Sequence, residues 1–135
     1  IKVLGPTGTF SYNPIIGCVP LQINFNSNTQ NAHFYTWDYN DGITNFGKNV
    51  SIAHTYTKMG NYLPRIILED SLGCKLPIIG KDTIRVKGIE THIKTFPSYL
   101  FCHPTSVTFT DSILTNDVMQ SYSWDFGDGN SSTLK

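Results

Sequence analysis

The chain has 135 residues, ten basic and ten acidic side chains and no formal net charge. That balance leaves no basic footprint for nucleic acid or an anionic membrane surface, so neither is an expected partner. Only 15% of residues are charged against 39% hydrophobic, and Thr, Ile, Asn and Ser are abundant, a profile that favours strands and turns over helices. No apolar run approaches the roughly 18 residues that a spanning helix needs, so membrane insertion is not expected.

Alternation of apolar and polar residues predicts the elements in chain order. Phe10 belongs to a first strand. Leu21, Ile23 and Phe25 share one face of the next, with Gln22, Asn24 and Asn26 on the other. Tyr35 and Trp37 point inward from a third strand, which ends at the Asp41-Gly42 turn. Val50, Ile52, His54 and Tyr56 share a face, Gly60 breaks the chain, and Tyr62, Ile66 and Leu68 form the inner face of a further strand. Pro64 falls inside that strand, where a missing N–H should force a bulge. Asp70-Ser71-Leu72-Gly73 reads as a hairpin turn, and Ile84 with Val86 closes the unit. No window carries a helical stripe.

An internal repeat organises these elements. Ile1-Lys2-Val3-Leu4-Gly5 resembles Ile84-Arg85-Val86-Lys87-Gly88, and Cys18-Val19-Pro20 followed by Gln22–Phe25 resembles Cys102-His103-Pro104 followed by Ser106–Phe109. Tyr35–Gly42 resembles Tyr122–Gly129 in the same way. The offsets are nearly constant, so the unit is about 84 residues, enough for one small sandwich. The expected frame is the last strand of a preceding unit at 1–4, a complete unit at 5–87, and the N-terminal half of a following unit at 88–135. That half lacks counterparts of the later strands and should not fold alone.

Two acidic segments invite a catalytic reading. Asp38 with Asp41, or Asp125 with Asp128, resembles the carboxylate pair of a glycosidase. A turn is the better reading: Trp37 and Trp124 fill the core, the carboxylates accept turn amides, and Gly42 and Gly129 supply positive φ. Recurrence in both units also favours a fold requirement over chemistry. Calcium is the weaker alternative for the oxygens near 38–45, since no D-x-D-x-D-G loop is present. His33, His54, His92 and His103 lack metal-ligand spacing, and no nucleophile elbow or phosphate loop exists. The chain is therefore expected to be no enzyme and to carry no catalytic residue, metal or cofactor. Tyr56 and Tyr62, flanking Gly60, suggest a tyrosine whose hydroxyl ties down a strand corner.

Trp37-Asp38-Tyr39-Asn40-Asp41-Gly42, then His54-Thr55-Tyr56 and Gly60-Asn61-Tyr62, resembles the W-D-F-G-D-G and H-x-Y-x-x-x-G-x-Y signature of polycystic kidney disease (PKD) domains. Trp124–Gly129 matches the first half without change, while Tyr39 and Asn40 replace the usual Phe-Gly, which should alter only the turn. The resemblance implies an all-β fold of immunoglobulin-like, PKD-type β-sandwich repeats. Gly17-Cys18-x-Pro20 and Gly73-Cys74 resemble repeats of large Bacteroidota surface proteins exported by type IX secretion, including gliding-motility adhesins. That implies an extracellular, cell-surface module whose partners are neighbouring repeats, with surface glycans or other surface proteins as further candidates. The rival readings are a glycan- or collagen-binding accessory of a secreted hydrolase, gripping with Tyr12, Tyr99 and Phe101, or a scaffold subunit presenting Leu63 and Ile67.

In an immunoglobulin topology Cys18 and Cys74 lie at opposite poles. A bridge within the domain is therefore not expected, because a disulfide needs Cα atoms within about 7 Å. The expectation is an interdomain bridge, Cys18 pairing with the Cys74 counterpart of a following unit and Cys102 standing where Cys18 stands. Three Asp-Ser/Thr-apolar triplets resemble the O-glycosylation motif of exported Bacteroidota proteins, making Ser71, Thr83 and Ser112 candidate acceptors.

Overall fold

A computed structural model describes residues 5–96 and 106–135, and every regular element in it is a strand. In chain order these are β1 (Thr7–Asn13), β2 (Ile16–Cys18), β3 (Leu21–Gln30), β4 (Phe34–Asp38), β5 (Thr44–Gly47), β6 (Ser51–Tyr56) and β7 (Gly60–Tyr62). There follow β8 (Arg65–Glu69), β9 (Lys75–Ile79), β10 (Ile84–Lys87), β11 (Ile89–Phe96), β12 (Thr108–Thr115), β13 (Trp124–Asp125) and β14 (Ser131–Ser132). The chain divides into two compact units, Ile1–Gly88 and Ile89–Lys135.

The first unit is an immunoglobulin-like β-sandwich. One sheet has the order β1-β3-β6 and the facing sheet β5-β4-β8-β9; a small third sheet, β2-β10-β7, closes one end. Period-two burial along the strands explains the layering, since successive side chains point to opposite faces. Ile23 and Phe25 on β3 and Tyr56 on β6 face Tyr35 and Trp37 on β4 and Ile66 and Leu68 on β8, with Ile84 and Val86 of β10 completing the core. Burying each such large side chain contributes about 1.5–3 kcal/mol relative to exposure. Phe10, Tyr12, Leu21 and Ile52 pack around its margin.

Two strands are more broken than alternation suggested. Pro64 separates β7 from β8, so Tyr62 lies in the small sheet while Ile66 and Leu68 lie in the four-stranded one. The closing strand is divided in the same place: β9 pairs with β8, and β10, carrying Ile84 and Val86, pairs with β7 instead. The Gly80 N–H donates to the Pro64 carbonyl at 2.8 Å across the double break. A Cβ at Gly80 would stand 2.8 Å from that oxygen and 2.5 Å from the Tyr12 hydroxyl, so only glycine fits. Val50 departs from its expected place: it precedes β6 and is 51% exposed, while its carbonyl accepts the Ser27 N–H. Neither β2 nor β5 was anticipated. Of these, β2 runs parallel to β10, with Ile16, Gly17 and Cys18 opposite Arg85, Val86 and Lys87.

The second unit contains the antiparallel pair β11-β12 and the hairpin β13-β14. Its registers copy those of the first unit. Thr95 lies opposite Phe109 as Tyr12 lies opposite Phe25, and Trp124 lies opposite Ser132 as Trp37 lies opposite Asn45.

Candidate functional site: the tryptophan–aspartate turn

Trp37 is 2% exposed and its indole N–H donates to the Asn49 carbonyl at 3.0 Å. Beyond it, the chain turns through two carboxylates, each bridging backbone and side chain. Asp38 Oδ1 accepts the Asn40 N–H at 2.9 Å while Oδ2 accepts Arg65 Nε at 2.7 Å. Asp41 Oδ1 accepts the Ile43 N–H at 3.0 Å, and Oδ2 accepts His54 Nε2 at 2.7 Å. Asn40 and Gly42 sit at φ 63° and 93°. Asn tolerates the left-handed region because its short amide can bond locally, which is why it can stand where the signature has glycine.

Behind the turn lies an aromatic relay. The fully buried Tyr39 ring stacks on His54 with centroids 3.8 Å apart and planes 1° from parallel. His54 meets Tyr56 edge-on at 4.8 Å, and Tyr56 stacks on Tyr62 at 4.5 Å. Each phenol has a partner: Tyr39 accepts from Asn45 Nδ2, Tyr56 donates to the Tyr39 carbonyl at 2.9 Å, and Tyr62 donates to the Lys58 carbonyl at 3.0 Å. The last bond is the corner tie that the Tyr-Gly-Tyr spacing suggested. A Cβ on Gly60 would stand 3.0 Å from the Tyr62 ring and hydroxyl, so a side chain there would crowd the tie. Burial raises the Tyr39, Tyr56 and Tyr62 phenols above their ordinary range, because a phenolate would lose its water.

The same turn recurs at Trp124. Asp125 Oδ1 accepts the Gly127 N–H and Asp128 Oδ1 the Asn130 N–H, each at 2.9 Å, and Gly127 and Gly129 take φ 79° and 90°. Asp128 Oδ2 is bonded by Asn130's own amide, and the Asn130 N–H holds the carboxyl below the usual carboxylate range. Trp124 donates to the Leu134 carbonyl at 2.9 Å and lies near Phe109, which also packs on Phe126.

In the first unit both oxygens of Asp38 and of Asp41 are engaged by the fold, so neither carboxylate is posed as an acid or nucleophile. Among the described residues no group of three or more His, Cys, Asp or Glu converges on a metal-sized space. Cys18 and Cys74 are both free and exposed, Cys18 opposite Lys87 at one end of the strands and Cys74 at the β8–β9 turn. The Asp70 carboxylate, which bonds the Cys74 N–H, raises the Cys74 thiol above its ordinary range. Cys102, like Tyr99 and Phe101, lies outside the described residues. Tyr12 is no gripping aromatic: it is half-buried, its hydroxyl donating to the Asp82 carbonyl and accepting the Asp82 N–H.

The three candidate acceptors differ in setting. Ser71 is exposed on the β8–β9 turn beside Leu72, which is 80% exposed. Thr83 is exposed, but its neighbour Ile84 is fully buried. Ser112 lies within β12, paired with His92.

Sequence reasoning missed the aromatic pair outside the four-stranded sheet. Phe34 stacks on Phe46 at 5.4 Å on the outer face of the four-stranded sheet, with Lys48 over the Phe34 ring. The signal for Phe46 was absent, because β5 is too short to show alternation.

Among solved structures, the fold is similar to one described as carbohydrate-binding modules from the beta-sandwich superfamily, with a TM-score of 0.56 at 15% identity. The match covers 84% of this chain and 55% of that one, so the chain spans little more than half its length. No curated protein matches. The PKD domain family matches residues 16–86, more than half of the sequence and the whole span from β2 to Val86. With the tryptophan–aspartate turn and its tyrosine tie in place, the chain belongs to the PKD domain family.

Proposed function

We propose that the chain is a non-catalytic, load-bearing module of a long extracellular surface protein, an adhesin or stalk built from further copies of the same unit. The observation that carries this reading is the parallel pairing of β2 with β10. A strand near the start of the unit, just after β1, lies parallel beside its last strand, so tension reaching that pair loads its hydrogen bonds together, in shear, rather than opening them one at a time. Val19 N–H to Lys87 O and Arg85 N–H to Ile15 O, each 2.8 Å, extend that clamp. Repetition of such units sets reach.

Single-molecule pulling of the chain between its two ends should unfold the first unit at higher force than pulling between the N-terminus and a handle at Gly47. Equal forces would remove the mechanical reading. The cell-surface, gliding-motility and type IX assignments follow from the family resemblance, and fractionation of native cells tests them. The bridge from Cys18 to a following unit belongs to the same proposal; its exposed thiol supports it, and non-reducing mass mapping of native material tests it. For O-glycosylation, Ser71 is the favoured acceptor, because both it and its apolar neighbour are open to an enzyme.

A second reading, glycan binding as an accessory to a secreted hydrolase, is supported by the likeness to carbohydrate-binding modules. Retention on insoluble glycans separates it from the stalk reading.

A further inference from the structure

None of the residues in β1, β3 and β6 is Asp, Glu, Lys or Arg. On β3 the exposed positions are Gln22, Asn24, Asn26, Asn28 and Gln30: every outward residue of the central strand is an amide. These five span eight residue steps, about 27 Å of extended strand. Flanking strands continue the pattern. Asn13 and Ala53 lie on either side of Asn24, and Ser11 and Ser51 on either side of Asn26. Ser51 Oγ donates to Asn26 Oδ1 at 2.8 Å, and the small Ala53 leaves an open depression bordered by Asn13, Asn24, Asn26 and Ser51. The opposite sheet of the same unit is built differently: its outer face carries Asp38, Arg65, Glu69 and Lys75.

A merely solvated face has no need of this composition. Asn is among the poorer strand formers and a β-branched residue would pair better at each position, while exposed protein surface ordinarily mixes both signs of charge. An amide supplies donors and an acceptor on one group, which suits vicinal hydroxyls. A surface without charge offers a polyanion nothing in return for its lost water. We propose that the outer face of the β1-β3-β6 sheet is a binding surface for an extended, neutral polysaccharide, lying along the amide row of β3. This deepens the glycan reading and rests on it, while the load-bearing reading stands or falls separately by the pulling measurement.

The test is affinity electrophoresis of the full chain in gels containing hydroxyethylcellulose or galactomannan, with alginate as the charged counterpart. The wild-type chain should be retarded by a neutral polymer and not by alginate. Asn24→Val with Asn28→Val should weaken retardation about tenfold, the loss of one or two hydrogen bonds, while raising or preserving the melting temperature. The isosteric pair Asn24→Asp and Asn28→Asp should weaken it as well, and Phe46→Ser on the opposite sheet should leave it unchanged. Retardation by neither neutral polymer, equal retardation by alginate, undiminished retardation in both double variants, or its loss in Phe46→Ser would each overturn the proposal.

Discussion

Around Trp37 and around Trp124 the chain builds one hairpin twice, with the same Asx bonds, the same positive-φ positions and the same strand register. The surroundings differ. Trp37 is buried, with the rings of Phe10 on β1 and Phe25 on β3 packed on it, whereas Trp124 is half-buried, and β11 is exposed throughout its length. Local sequence is therefore enough to specify the turn, because its bonds run between residues two apart. It does not specify burial, which needs partners tens of residues away.

The largest contrast should come from the indoles. Trp37→Ala should destabilise the main unfolding transition by about 3–5 kcal/mol, and Trp124→Ala should shift it by less than about 0.5 kcal/mol, as read by urea denaturation. Equal losses would break the comparison. Limited proteolysis followed by mass measurement should agree, with first cuts beyond Gly88 and the first unit spared.

Next comes the second oxygen of the turn aspartate. His54→Ala removes both the charged bond to Asp41 and the ring stacked on Tyr39, and should cost about 1.5–3 kcal/mol. Asn130→Ala, its nearest counterpart at Asp128, should leave the main transition within about 0.5 kcal/mol. Backbone strain is smaller again. Gly42→Ala should cost about 1–2 kcal/mol, the penalty for a side chain at positive φ. Asn40→Gly, which restores the residue found at Gly127, should change stability by less than about 1 kcal/mol.

The smallest effect comes from the β8–β9 turn of the first unit. Asp70 Oδ1 accepts the Leu72 and Cys74 N–H groups, each at 2.9 Å, and the Cys74 amide foremost holds the carboxyl below its ordinary 3.8. The unfolded chain then takes up the proton first. Asp70 contributes stability above the unfolded value, and that contribution is lost as pH falls through the folded one. Melting temperatures of wild type and Asp70→Asn should converge as pH falls through and below the ordinary carboxylate value of 3.8.

Much of this fold was legible in the residues. Alternation placed Ile23, Phe25, Tyr35, Trp37, Ile66 and Leu68 in the core, because period two holds wherever one face is buried. Pro64 announced its own irregularity through its missing donor. Alternation cannot reveal which strand pairs with which, so the transfer of Ile84 and Val86 to the small sheet and the parallel pairing of β2 were hidden. The turn residues could be named from spacing, yet the Arg65–Asp38 and His54–Asp41 bonds join positions 27 and 13 residues apart, a choice made by tertiary packing. The amides opposite Leu21, Ile23 and Phe25 were visible as a polar face. Their continuity to Gln30, and the lack of charge on both flanking strands, emerged only with the register.

The double break at Pro64 and Gly80 makes both of those strands members of two hydrogen-bonded layers. The same backbone threads through each, so strain in one layer is passed to the other at the joint. Gly80 is the joint, and its amide is held by the carbonyl of a residue whose side chain is itself fully buried. In deuterated water that amide should be among the last to exchange, giving a one-site readout of whole-domain opening.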